Sequence, residues 1–200
     1  MRVSKKYSIF LVLLLFPSFL FAGNNYYNYG GGVAGCTAVE SNVYDTRTSG
    51  VIIAYDTTTD RWCAKSTFVA ERTETVKNIQ LQLKKNGSPT MTLTVSMCDS
   101  DGTSNCVEWD DIVDAATDVG TELTSWTSIN DTTGKNLTAT NSYTLLISAN
   151  AINATNNVAW GYQAIGSTPV LSNNASGCSG TWVNTVANAV GNMKTNTCPQ

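Results

Sequence analysis

Residues 78–98 read NIQLQLKKNGSPTMTLTVSMC, and this stretch decides the fold class. Apolar residues at positions 79, 81 and 83 alternate with polar ones, and a second alternating run extends from residue 91 to residue 98. A period of two places the apolar side chains on one face of a β-strand. Between the two runs, residues 84–89 are rich in turn-forming types. The pattern therefore predicts two strands joined by a turn, each with one buried face.

From residue 49 onward, the chain shows the same pattern of short predicted strands separated by turns. The abundant threonines suit the exposed positions of such strands. One exception is a short helical turn predicted over residues 111–115, with Asp110 as its N-cap. Because no helices alternate with the strands, the sequence predicts an all-β fold over residues 49–200, an antiparallel β-sandwich that is jelly-roll-like. The further strand candidates are residues 51–55, 62–68, 126–129, 143–148, 158–163 and 182–186.

The N-terminus predicts export. Three cations within the first six residues precede the apolar run IFLVLLLF at residues 9–16, and small residues follow at positions 22 and 23. This is the layout of a secretory signal peptide over residues 1–22. The alternative, an uncleaved membrane anchor, is disfavoured because the apolar run is shorter than the roughly 20 residues that a spanning helix needs. A Gly-, Asn- and Tyr-rich segment follows over residues 23–48, and we expect a secreted or surface-held protein without a membrane span.

All six cysteines lie after this signal. An even number of cysteines in an exported chain predicts disulfide bonds. A metal site is disfavoured because zinc-binding cysteines come in close pairs such as C-x2-C, whereas the shortest separation here is eight residues. We expect the bonds to join cysteines that are close in sequence, as Cys36–Cys63, Cys98–Cys106 and Cys178–Cys198.

Charge and composition exclude several classes of function. The 200-residue chain has 12 basic and 15 acidic residues, and removal of the three signal cations leaves nine basic residues and a net charge of −6. So acidic a chain lacks the cationic surface that nucleic-acid binding requires, and we expect no nucleic-acid partner. The chain has no histidine, which excludes Ser-His-Asp and Cys-His catalysis. Cysteines held in disulfides offer no thiolate nucleophile, so we expect the protein not to be an enzyme.

A series of short motifs runs through residues 62–163. The motifs are CAKSTF at 63–68, IQLQLKKNGSP at 79–89, LTVS at 93–96, an Asp/Gly turn at 99–102, Trp126, Leu137 followed by NSY at 141–143, and WGY at 160–162. In order and spacing they resemble the choice-of-anchor R family of extracellular modules. The resemblance implies a jelly-roll-like β-sandwich to which no catalytic activity is assigned.

An acidic stretch over residues 99–122 contains no lysine or arginine. Its first part, DSDGTSN at residues 99–105, resembles the opening of an EF-hand calcium loop, in which oxygen ligands alternate and a glycine permits the tight turn. This predicts weak calcium binding at Asp99, Asp101 and Asn105, because a divalent ion would relieve the repulsion between the acids. The alternative is an Asx turn closed by a disulfide, with no cofactor bound.

Five tryptophans are candidates for stacking on a sugar ring. Four of them lie on predicted strands or at their edges, and we expect these in the core or at its rim. Trp109 stands between Glu108 and Asp110, so we expect it to be exposed and to form a glycan platform with these carboxylates. Paired carboxylates beside an aromatic also occur in glycoside hydrolases, but adjacent residues do not place two carboxyl groups opposite one another.

Together these features favour a non-catalytic exported module for adhesion or glycan binding, with glycan or other cell-surface material as its partner. The alternative is a structural component of an envelope, appendage or matrix that assembles by lateral self-association. An enzyme is the third interpretation. Glycan binding that depends on the aromatic platform would favour the first, and concentration-dependent assembly without a glycan response would favour the second.

Overall fold

The computed structural model describes residues 39–45, 49–53, 61–164 and 169–198. The predicted signal peptide, most of the Gly-, Asn- and Tyr-rich segment and Cys36 lie outside these residues. Within the described ranges, no helix has the length and apolar character needed to cross a membrane. One short 3-10 helix spans Ser176–Cys178. The strands are β1 (Glu40–Tyr44), β2 (Ser49–Ile53), β3 (Cys63–Val69), β4 (Glu74–Asn86), β5 (Thr92–Asp99), β6 (Val107–Glu108), β7 (Val113–Asp114), β8 (Trp126–Leu137), β9 (Ser142–Ala149), β10 (Asn157–Gln163), β11 (Val170–Asn173), β12 (Trp182–Val186), β13 (Val190–Gly191) and β14 (Met193–Asn196).

The first sheet is built around the long strand β4. Ile79 of β4 pairs with Thr195 on one side and with Ile129 on the other, so β14 and β8 flank opposite edges of the strand. β1 extends the sheet beyond β14. β10 pairs with the last residues of β4 and also with β2 and β13. All of these pairings are antiparallel.

The second sheet follows the order β12-β11-β3-β9-β5, with β6 and β7 both paired to the outer edge of β5. Every pairing in this sheet is also antiparallel. Among the described strands, β12 therefore forms one edge of the sheet, and β6 and β7 form the other.

Buried apolar side chains of both sheets form the main core between them, and a second small cluster is centred on Val170 and Ala189. The apolar residues of the alternating runs on β4 and β5 are buried as predicted, because these two strands belong to opposite sheets and face the same core. Trp160 of β10 packs so closely on Gly191 that a Cβ atom there would lie 2.1 Å from its indole ring. The predicted fold class, an antiparallel β-sandwich with disulfide bonds, is confirmed.

β1 belongs to the sandwich although it precedes residue 49, where the sequence placed the start of the domain. Its buried positions are polar, since Ser41 and Asn42 are 2% and 0% exposed. The Ser41 hydroxyl donates to the Glu74 carboxylate, and the Asn42 amide donates to the Thr195 hydroxyl at 2.8 Å. These bonds satisfy the buried polar groups and attach β1 to β14 and β4.

The helical turn predicted over residues 111–115 is wrong. Val113–Asp114 instead form β7, which pairs with the edge of β5. The carboxylate of Asp110 accepts hydrogen bonds from the backbone N–H and the hydroxyl of Thr132, rather than from the N–H groups of a helix. Pairing with the edge of β5 therefore determines the conformation of residues 111–115. The local helical propensity of the segment does not.

Two of the three predicted disulfides are wrong. The Cys98–Cys106 bond is present as predicted. Cys63 is disulfide-bonded to Cys178, so the predicted bonds Cys36–Cys63 and Cys178–Cys198 do not form. The reason is topological: Asn173 at the end of β11 pairs with Cys63, and the 3-10 helix then brings Cys178 back over β3. Cys198 is disulfide-bonded as well.

Candidate functional site

The glycan platform predicted at Trp109 does not lie on the surface. Trp109 is 2% exposed and packs in the core between the sheets, so the prediction that it is exposed is wrong. Its backbone N–H donates to the carbonyl oxygen of Val95 at 2.8 Å, which holds the chain between β6 and β7 against β5. Glu108 and Asp110 are exposed on either side of it. Since successive side chains of an extended segment point to opposite faces, the three residues do not form one site.

The carboxyl group of Asp110 is bound to β8. The backbone N–H and the hydroxyl of Thr132 donate to it at 2.8 and 2.7 Å. These bonds, followed by a smaller contribution from a hydrogen bond with the Asp131 carboxyl group, lower the pKa of Asp110. Asp110 therefore attaches the segment that follows β6 to β8.

The predicted calcium ligands belong to a hydrogen-bonded turn. Asp101 accepts bonds from the backbone N–H groups of Thr103 and Ser104 at 2.9 and 2.8 Å, and from the Ser104 hydroxyl at 2.5 Å. The Asn105 amide donates to Asp99 Oδ2 at 2.7 Å. This is the Asx-type turn of the alternative interpretation, and the disulfide between its flanking residues closes it.

Lys135 supplies a cation to this turn. Its Nζ lies 2.9 Å from Asp99 Oδ1 and 2.5 Å from the carbonyl oxygen of Asn105, and its side chain is 8% exposed. Residues 99–122 contain no lysine or arginine, but the fold places Lys135 of β8 beside them. In the described part of the chain, no three His, Cys, Asp or Glu side chains come together as a metal site. Calcium binding at Asp99, Asp101 and Asn105 stays a prediction.

We expect the stability of the protein to decline at acid pH. Hydrogen bonds from Asn105 and Lys135 lower the pKa of Asp99, and the hydroxyl of Ser104 is the largest cause that lowers the pKa of Asp101. The stabilisation from a lowered pKa is present above the unfolded-state value of about 4, and is lost as the pH falls through the folded-state value. The urea midpoint should therefore fall progressively below about pH 4. Asp101→Asn should make that decline shallower, and a midpoint that is independent of acid pH would contradict the assignment.

An open cleft of about 500 Å³ lies beside this turn. It is lined by Asp99, Ser100 and residues 140–143, so Asp99 supplies the only carboxylate among its lining residues. That carboxylate is already paired with Lys135. The cleft therefore does not bring together the two carboxyl groups that acid–base hydrolysis of a glycan requires.

The outer face of the first sheet carries a continuous set of polar side chains. They alternate along β14, β4 and β8 with the buried apolar residues of the core. The register places Lys194, Gln80 and Ser128 in one row across the three strands, and Gln82 beside Trp126 in the next. We call this set the amide face. Its accessible members are Gln80, Trp126, Ser128, Asn130 and Lys194, and its buried members are Asn78, Gln82, Asn192 and Asn196.

Hydrogen bonds between neighbouring strands fix the side chains of the amide face. The Asn78 amide donates to the Ser128 hydroxyl at 2.7 Å and accepts a bond from the Asn196 amide at 2.9 Å. The Asn192 amide donates to Gln82 Oε1 at 2.6 Å. The side-chain oxygens of Asn192 and Asn196 accept no hydrogen bond within the described residues. Such a network holds polar groups in fixed orientations.

Trp126 is the aromatic residue of the amide face. Its ring is half-buried, and Lys194 Nζ lies 4.8 Å from the ring centroid, within the range of a cation–π contact. The same Nζ lies 3.7 Å from Glu40 Oε1. Gln80 is half-buried and Ser128 is exposed beside this ring. The arrangement places an apolar ring surface next to groups that both donate and accept hydrogen bonds.

The sequence contains a signal for this face, although its pattern predicts Trp126 in the core or at its rim. Residues 78–82 read N-x-Q-x-Q and residues 126–130 read W-x-S-x-N. The outward positions of two paired strands therefore carry only amides, a hydroxyl and an indole.

Known protein families and curated protein sequences provide no match to this chain. The resemblance to choice-of-anchor R modules therefore stays a prediction, supported by the motifs at residues 62–163. Within the described residues, the amide face sets the aromatic ring of Trp126 among polar groups that cross-strand hydrogen bonds fix.

Proposed function

We propose that the protein is a non-catalytic exported module that binds neutral glycans on the amide face. The observation that carries this proposal is the half-buried ring of Trp126, which lies beside the buried Gln82 and one row from the half-buried Gln80 and the exposed Ser128. The site that the sequence suggested at Trp109 is replaced by this one, because Trp109 lies in the core.

The amide face matches the two kinds of surface that a sugar presents. The apolar face of a pyranose ring stacks on an aromatic ring, and its hydroxyl groups need partners that both donate and accept hydrogen bonds. Trp126 provides the aromatic ring for stacking. The amide of Gln80 and the hydroxyl of Ser128 provide hydrogen-bonding partners for the sugar hydroxyls. Because cross-strand bonds already fix this surface, less side-chain entropy is lost when a ligand binds.

The charges of the site favour a neutral glycan over an acidic one. Lys194 is the cation of the amide face, and it is shared between the ring of Trp126 and the carboxylate of Glu40. An anionic sugar would have to compete with that carboxylate for the ammonium group. A neutral sugar can bind without breaking the ion pair.

Export is part of the proposal. The described bonds Cys63–Cys178 and Cys98–Cys106 are compatible with an oxidising compartment, where disulfides form and persist. The predicted signal peptide over residues 1–22 agrees with this. A glycan-binding sandwich outside the cell would serve adhesion to glycan-bearing material.

A glycan array followed by calorimetric titration of the best neutral glycan tests the proposal. We expect Trp126→Ala to weaken binding about thirtyfold, since a central aromatic anchor contributes about 2 kcal/mol. Gln80→Ala should weaken it less, because one hydrogen-bonding group is lost while the ring remains. Analysis of the glycan after incubation should show it uncleaved, and released sugar would contradict a non-catalytic role.

Trp182 provides a matched control for Trp126. It is also half-buried, and its ring lies 4.4 Å from the Nζ of a lysine, Lys65, but it belongs to the other sheet. Trp182→Ala should therefore leave glycan affinity unchanged. Equal losses in the two variants, or the absence of any neutral ligand on the array, would overturn the proposal.

A further inference from the structure

β12 is the edge of the second sheet at which pairing is incomplete. β11 pairs with one side of Trp182–Val186, and no described strand pairs with the other. A free edge presents unpaired backbone N–H and C=O groups and is a template for another strand. We propose that β12 pairs antiparallel with β12 of a second copy of this chain, so that two molecules share one continuous sheet.

The two edges of this sheet differ in how they are protected. The β6–β7 edge carries charged residues at and around its strands: Glu108, Asp110 and Asp111 are exposed, and Asp114 is half-buried. Charges of this kind are a common protection against edge-to-edge pairing. Residues 136–193 contain no Asp, Glu, Lys or Arg, and β12 itself reads WVNTV, without glycine or proline. The charges that protect one edge are thus missing from β12, whose pairing with β11 shifts register between Asn184 and Val186.

Val183 gives β12 an apolar contact surface. It is 50% exposed, although its partner on β11, Ser172, is 2% exposed. Val186 of β12 packs against the small apolar cluster of Val170 and Ala189, whereas the side chain of Val183 extends beyond the buried residues of β11. A further strand at this edge would cover Val183 and remove its apolar surface from water.

A second copy is the occupant that the charge pattern favours. Antiparallel pairing of identical strands about a two-fold axis brings the same segment together from both molecules. With the axis at Asn184, Trp182 of each copy lies opposite Val186 of the other. β12 itself brings no charged residue to the interface, and Lys65 of β3 lies beside it, with its Nζ 4.4 Å from the ring centroid of Trp182. The acidic β6–β7 edges then lie at the two far ends of the shared sheet, where they do not repel one another and limit assembly to two copies.

Sedimentation velocity of the purified chain over a concentration series tests this proposal. We expect the mass to rise from that of a monomer to that of a dimer, and Val183→Lys to raise the dissociation constant about tenfold or more, since it places two like charges at the joined edges. Val69 is the matched control, because it is also 50% exposed but lies on β3, inside the same sheet. Val69→Lys should leave the dimer unchanged.

A cross-link provides a second measurement that does not depend on weakening the dimer. Asn184→Cys places identical thiols across the proposed two-fold axis, so mild oxidation should yield a covalent dimer that reductant separates. Adding Val183→Lys to this variant should suppress the cross-link. A monomer at every concentration, a dimer insensitive to Val183→Lys, or equal effects of the two lysine variants would each overturn the proposal. Glycan binding can be measured separately, because Trp126 lies on the other sheet.

Discussion

Replacement of both Cys63 and Cys178 by serine is expected to lower the free energy of unfolding by about 5 kcal/mol. The bond joins residues that are 115 positions apart, so its loss gives the unfolded chain a very large number of additional conformations. Domains of ordinary size are stable by only about 5–15 kcal/mol. We therefore expect partial unfolding of this variant at 37 °C, measurable by denaturant titration under non-reducing conditions.

The Cys98–Cys106 bond is the control for this prediction. Its residues are eight positions apart, so the same chain-entropy argument gives about 2.5 kcal/mol for its removal. The effects of the two serine pairs should therefore differ by about a factor of two. Equal losses of stability would show that local strain or packing, and not the size of the closed loop, determines what each bond contributes.

Trp109→Ala is expected to lower the free energy of unfolding by about 3–5 kcal/mol. The side chain is 2% exposed and packs among core residues of both sheets, so its removal leaves a large cavity. This effect should appear as a lower denaturant midpoint, while glycan affinity under native conditions stays unchanged. The sequence-based interpretation predicts the reverse, a stable protein that no longer binds.

Two further variants separate packing from binding at the tryptophans. Trp109→Phe should cost much less than Trp109→Ala, because it keeps a ring in the core and removes an indole N–H that has no hydrogen-bond partner among the described residues. Trp126→Ala should lower stability only slightly, because the ring is half-buried on the outer face. A Trp109→Ala variant of normal stability that fails to bind glycan would contradict the assignment of the site.

The sequence predicts the fold class well because one strong periodic signal lies at the centre of the structure. The alternating residues of β4 and β5 belong to opposite sheets and meet in the core. The period of two in these residues therefore predicts both the strands and the packing of two sheets against each other. The polar half of the same pattern on β4 is the amide face, so the residues of the proposed site were visible in the sequence although their role was not.

The features that the sequence does not reveal depend on contacts between distant segments. β1 has no apolar alternation, because Ser41 and Asn42 are buried against partners that are far away in the chain. The pairing of Cys63 with Cys178 follows from the adjacency of β3 and β11, which no local pattern encodes. Lys135 reaches the acidic turn from β8 for the same reason. In each case the information lies in strand order and not in spacing.

The Cys63–Cys178 bond also has a mechanical consequence. Tension applied to the chain outside these two residues passes through the bond, so residues 64–177 cannot be drawn out while it is intact. At about 3.4 Å per residue, the bond keeps roughly 390 Å of chain from being extended. β4 and β8, and with them Trp126, lie inside the protected loop. An adhesive module pulled by flow would therefore keep the two strands that carry its aromatic contact from being extended.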